Sequence, residues 1–200
     1  MEEIFNVSVV SHYTVDKLLL LRKFVGDIYS GSLCIPVDCA QRSVEIEPGG
    51  IKIRLCVWSL PSNYNFSDNK VSYKLSHGII ILFDLSNMVS FEHIPVLHNN
   101  IKRCGVVNNT VLLVGNRCYH SQPVVTQRQI KNLCSSLNLR YYEICIDDNY
   151  GIDTLFNNVC HEITKHAASN KNKNKNYHEK YKHKHSVNHS EKNNRRCVIM

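Results

Sequence analysis

No glycine occurs before Gly26. The absence matters because residues 9–24, VVSHYTVDKLLLLRKF, pass from a β-branched run through a short polar loop into a leucine-rich helix, with Lys17 at the joint. Strand, tight loop, lysine and helix is how a phosphate-binding loop is built. Such a loop needs glycines so that backbone N–H groups can approach the anion closely, at left-handed dihedrals. Long apolar runs are also missing. The longest, Leu18 to Leu21 and Gly78 to Phe83, fall far short of the roughly 20 residues that span a bilayer, and no apolar h-region follows Met1. Neither a secretory signal nor a membrane-spanning helix is expected.

The nine cysteines form no C-x-x-C pair and lie singly in apolar segments, the usage of a reduced compartment, so the cytosol is expected. Sequons at Asn6, Asn65, Asn108 and Asn188 then have no glycan to accept. No Ser/His/Asp or Cys/His arrangement sits at a recognisable elbow, and no carboxylate pair has a convincing geometry, so no catalytic residue is assigned. His183, His185 and His189 have no cysteine or carboxylate partners at ligand spacing and read as compositional bias, not a metal site. Cys34 and Cys39 read as small buried residues or loop thiols.

What is present suits one well-buried domain with something left over, since the chain has 200 residues. Its net charge of +7 is uneven: residues 1–164 hold 14 Lys and Arg against 15 Asp and Glu, whereas residues 165–196 hold 10 against 2. Strands are expected at 4–11, 41–47, 51–58, 78–84, 110–116 and 141–146, where β-branched and apolar residues are bounded by turn signals. Pro48-Gly49-Gly50 joins the second and third so tightly that they should form an antiparallel hairpin at a sheet edge. Helical patterns cover 15–26, 88–103, 124–138 and 150–166. The alternation predicts an α/β fold: a six-stranded, mostly parallel sheet with one antiparallel edge strand, helices on both faces, and ligands at the carboxyl ends of the strands. After Ala168 the composition turns to Lys, Asn and His without periodicity, which cannot offset its ordering entropy by burial. The expected organisation is therefore a domain at 1–166, a disordered Lys/Asn/His-rich arm at 167–196, and a terminal motif at 197–200.

The order of elements and several strings resemble the small GTPases of the Ras superfamily, the Rab branch in particular. LLLLRKFVGDIY is similar to that family's first helix, IKIRLCVW to the strand ending in tryptophan, here Trp58, and HGIIILFDLSNMVSFEHI to the fourth strand and the helix opening at Ser90-Phe91. VLLVGNRCYH, with Val114-Gly115-Asn116, is similar to the guanine-binding loop, and YYEICIDDNYGIDTLFNNVCHEI to the last strand and helix. The resemblance covers residues 4–166 and implies the small-GTPase G-domain fold.

The functional residues that this resemblance implies do not carry over. Ser11, Thr14 and Asp16 stand at the phosphate-loop glycines, and Asp16 places a negative charge beside the anion site. Leu18 replaces the hydroxyl residue that would hold magnesium. Lys17 reads either as a phosphate ligand or as a helix-surface lysine, the second being favoured because one lysine is weak motif evidence. Pro36 and Asp38 stand at the first switch's threonine and glycine. Ser59 to Asn63, SLPSN, replace the second switch, which removes its metal-linked aspartate and its water-orienting glutamine. In the guanine loop Asn116 is retained and Arg117 stands for a lysine, but Tyr119 stands where an aspartate would pair with the base. Cys145, Ile146 and Asp147 replace the last loop. Lys17, Asn116 and Arg117 are the vestigial nucleotide contacts, and Asn116 is favoured as a structural loop bond.

The chain ends in RRCVIM, a C-a-a-X motif that marks Cys197 for prenylation, with the terminal methionine favouring farnesyl over geranylgeranyl. One prenyl chain binds a bilayer only marginally, and the arm supplies the second signal: Lys165 to Arg196 carry +8, each charge adding up to about 1 kcal/mol near an anionic leaflet. The expected protein is a prenylated Rab-like protein on the cytoplasmic side of a plasma or internal membrane, defective in GTP hydrolysis and weak or absent in nucleotide binding. Its partners would be the cytosolic leaflet and protein effectors or Rab regulators, with no specific nucleic acid. The alternative is an atypical GTPase switch that binds GTP or GDP with magnesium through Lys17 and Asn116.

Overall fold

The computed structural model describes residues 3–26, 39–46, 51–61, 66–104, 110–118 and 121–169. Pro36, Asp38, Pro48 to Gly50, Asn63, Tyr119, residues 170–196 of the arm and Cys197 lie outside the described residues, whereas 167–169, expected to open the disordered arm, continue the last helix. The chain divides into two compact units, residues 1–163 and 164–200, and the described part of the second, 164–169, is helical.

The first unit holds a six-stranded sheet. Its strands are β1 (Glu3–Ser11), β2 (Cys39–Ile46), β3 (Ile51–Ser59), β4 (Gly78–Asp84), β5 (Thr110–Asn116) and β6 (Arg140–Ile144), in the order β2-β3-β1-β4-β5-β6. All pairings are parallel except β2 with β3, which is antiparallel at the sheet edge as expected. Continuous apolar runs buried on both sides make the centre: Ile79 to Phe83 are all 1% exposed or less.

The helices are α1 (Lys17–Val25), α2 (Phe66–Leu75), α3 (Met88–Glu92), α4 (Ile94–Arg103), α5 (Gln127–Leu137) and α6, residues 152–169. On one face Phe24 of α1 meets Phe156 of α6 with ring centroids 4.2 Å apart. On the other, Ile79, Ile81 and Phe83 of β4 pack with Tyr73, Phe91, Ile101 and Ile130 from α2 to α5. Helices thus cover both faces, as expected.

Several boundaries differ from the sequence reading, each for a local reason. The helix expected at 88–103 is two, because Pro95 in the first turn of α4 has no N–H to continue the α3 ladder, and the chain restarts at His93. The helix expected at 124–138 starts after Thr126, whose hydroxyl and Gln129 form a capping box, and stops at Asn138, which turns left-handed at φ 55°. The helix expected at 15–26 starts only at Lys17, because Asp16 caps it. Helix α2 had no expected counterpart: its only buried side chain among those described is Tyr73, so the apolar stripe that marks a helix is missing. The strand expected at 141–146 ends at Ile144, and Cys145 instead bridges Tyr150.

Candidate functional site

Strands β1, β3, β4, β5 and β6 all end on one side of the sheet, where a ligand would meet their following loops. The loop after β1 is a tight turn, with Val15 N donating to His12 O at 3.1 Å. Among the described residues the positive-φ positions are Gly26, Asn138, Asn149 and Gly151, so none falls in this loop. Without left-handed residues the amides do not curl into an anion cradle.

The start of α1 is already satisfied from within. Asp16 Oδ1 accepts from Leu18 N at 2.9 Å and from Leu19 N at 3.2 Å. These are the first-turn donors that a phosphate would use. Thr14, at another expected glycine position, receives a hydrogen bond from Asn87 Nδ2 at 3.1 Å and shares one of 2.8 Å with His12 Nδ1, which ties the loop to the β4–α3 connection. His93 closes on His12 from that side, ring centroids 5.2 Å apart, and burial followed by the neighbouring His12 pushes its pKa below the ordinary histidine value.

Lys17 is not the helix-surface lysine favoured from sequence. It is 9% exposed, and its ammonium donates to Ser11 Oγ at 3.1 Å. Burial lowers its pKa, while the charge of Asp16 acts the other way. It lines an open groove of about 370 Å³ together with Tyr13, Asp16, Leu18, Ser59 and Pro61.

On the guanine side, Asn116 Oδ1 accepts from Ile146 N at 3.0 Å within the protein, and its Nδ2 donates to Cys118 Sγ at 3.4 Å. The first contact is a bond between the two loops that follow β5 and β6. Arg117 is pulled sideways: its Nε donates to Glu143 Oε1 at 2.6 Å, and Gln127 Nε2 and Tyr141 OH each donate to Oε2 at 3.1 Å. Burial opposes ionisation of Glu143, but these donors outweigh it and hold the carboxyl below its usual range. Cys118 lies by Asp84 and Asp147, and burial with those charges pushes its thiol up to about 11, so it is a poor nucleophile at neutral pH.

A nucleotide phosphate with magnesium does not fit these residues: a carboxylate holds the helix amides, leucine follows the lysine, and no loop residue adopts the left-handed region. The donor set supplies no metal centre either, since no group of three or more His, Cys, Asp or Glu able to hold a metal exists among the described residues. The structure brings Lys17 to the loop after β1 and joins Asn116 to the loop after β6, while Arg117 serves Glu143. Sequence reasoning missed Glu143 as the hub of that cluster, and Asn87 and His93 as partners of the loop. Asp16 as a cap carried a signal, an aspartate immediately before a leucine-periodic helix.

The Ras family description matches residues 6–165. The chain is similar to the Ras-related protein RIC1 of Oryza sativa subsp. japonica, 27% identical over 168 residues and covering 83% of each chain. It is 26% identical over 166 residues to Ras-related protein Rab-13 of Mesocricetus auratus, covering 81% of each. It is 28% identical over 171 residues to the GTP-binding protein ypt1 of Schizosaccharomyces pombe, covering 84% of this chain and 83% of that one. With a matching family description over most of its length, a six-stranded, mostly parallel sheet with one antiparallel edge strand as expected, and these relatives, the chain belongs to the Ras family, as a Rab-like member of the small-GTPase superfamily.

Proposed function

We propose that this is a prenylated, membrane-anchored Rab-like protein acting in membrane traffic or signalling through protein contacts, with GTP hydrolysis lost and nucleotide binding weak or absent. The observation that carries the reading is the loop after β1, which closes in a turn on itself with no left-handed residue. Anchoring rests on Cys197 in its C-a-a-X ending and on the basic arm at 167–196 that follows the domain at 1–166. No helix among the described residues is long and apolar enough to cross a membrane, so a lipid anchor is the means of attachment this reading requires. The partners are then effectors or Rab regulators and the cytosolic leaflet.

A second reading, an atypical switch that holds GTP or GDP with magnesium, is favoured by one observation: Lys17 lines the groove beside Ser59. The two readings separate by thermal unfolding. Magnesium-GTP should leave the melting temperature of the protein unmoved, and Lys17→Ala should not change that result, whereas a ligand at 100 times its Kd adds about 2.7 kcal/mol to stability. A magnesium-dependent rise with GTP that Lys17→Ala abolishes would establish the switch instead.

A further inference from the structure

The nearly neutral body of the chain distributes its charge unevenly. Helices α2 and α4 hold Lys70, Lys74, Lys102 and Arg103 against the single carboxylate of Asp68, whereas the other residues of 1–164 hold 10 Lys and Arg against 14 Asp and Glu. The fold brings the two helices together, since Tyr73 of α2 and Ile101 and Cys104 of α4 belong to one apolar cluster. Burial raises the pKa of the Cys104 thiol, and the charges of Lys70, Lys74 and Arg103 all act against that rise, so cations of both helices surround one point. Lys70, Lys74 and Lys102 are exposed. Beside the lysines of α2 stand Val71 and Leu75, one helical turn apart on one side and 66% and 65% exposed. An apolar pair held out among cations is complementary to a surface that is anionic outside and apolar beneath. A fluid bilayer accepts protruding side chains without a matching cleft, and the acidic remainder of the body would be repelled by it, which leaves this face to approach.

We propose that the face formed by α2 and α4 is a second membrane contact, on which the body lies against an anionic phospholipid surface, with Lys70, Lys74 and Lys102 at the headgroups and Val71 and Leu75 entering the acyl boundary. The inference deepens the anchoring reading and rests on it for the nearness of the leaflet; it adds a contact made by the body itself.

The test uses the full chain without its lipid, mixed with vesicles of phosphatidylcholine alone or with phosphatidylserine, and follows amide exchange along the backbone. Vesicles containing phosphatidylserine should slow exchange across residues 66–75 and 94–104, and neutral vesicles should not. Lys70→Gln with Lys74→Gln should abolish that slowing and lower vesicle affinity by up to about 25-fold, at about fivefold per charge. Arg128→Gln with Lys131→Gln removes the same charge from exposed positions of α5 and should leave the slowing in place. Binding that leaves 66–75 and 94–104 unslowed, or equal losses from the α2 and α5 pairs, would overturn the membrane face and leave the basic arm as the whole electrostatic contact. Slowing by polyglutamate but not by vesicles would also overturn it and give the face to an acidic protein. The C-terminal peptide from cells tells the two failures apart: a farnesylated Cys197 with an unslowed face refutes only this inference, whereas an unmodified Cys197 refutes the anchoring reading.

Discussion

Asn116 forms the bond between two loops that was favoured for it from the sequence. Its carbonyl oxygen takes the amide of Ile146 in the protein interior at 3.0 Å, and removing it leaves a buried donor without that partner. Asn116→Ala should therefore cost about 1 to 3 kcal/mol of stability. Urea unfolding is the measurement, with a lower midpoint at unchanged slope expected; an unmoved midpoint would mean that the bond contributes nothing. At this scale the sequence was informative about identity and uninformative about environment. That the loop after β1 has no left-handed residue was legible in its lack of glycine, whose conformational freedom has no substitute. The burial of Lys17 was not legible, because a lysine looks the same whether its stem lies under a loop or on a solvated face. Nor was Glu143, whose partners Arg117 and Gln127 are brought beside it and Tyr141 only by the fold.

Among the elements, the buried strands were the easiest to read. GIIILFD and TVLLVGN need no alternation because both of their faces are covered, and their continuous apolar runs announce it. Helix α2 was illegible for the opposite reason: it buries Tyr73 but exposes Val71 and Leu75 at 66% and 65%. Its apolar residues do not mark a face. The break between α3 and α4 was written in Pro95, but apolar periodicity on both sides of it concealed the restart at His93. Strand β5 also carries a packing constraint at Gly115. A Cβ there would lie 2.6 Å from the Tyr141 hydroxyl oxygen and 3.1 Å from the Phe83 ring, and Tyr141 is held in place by its bond to Glu143. Gly115→Ala should destabilise by about 1 to 3 kcal/mol through overpacking. Adding Tyr141→Phe, which removes the nearest atom, should recover part of that loss. Chemical denaturation of the single and double variants reads both effects, and equal midpoints for Gly115→Ala and its parent would show that the neighbours give way freely.

For the whole molecule, the contrast lies between a nearly neutral body and a cationic arm ending in Cys197. Under the proposed anchoring, Cys197→Ser should move the protein from the membrane to the soluble fraction in a cell with active prenyltransferase. The parent's C-terminal peptide should carry a farnesyl mass and lack residues 198–200; an unmodified peptide ending in Met200 would contradict the anchor. Fold and family were legible at this scale because the hydrophobic frame is what folds the chain, and its pattern is continuous in the sequence. The loss of the nucleotide site is the central claim, and its most direct measurement is the guanine nucleotide released when the freshly purified protein is denatured and its supernatant chromatographed. The expected yield is far below one equivalent per chain, with and without magnesium during purification. Close to one equivalent of GDP or GTP would contradict the claim.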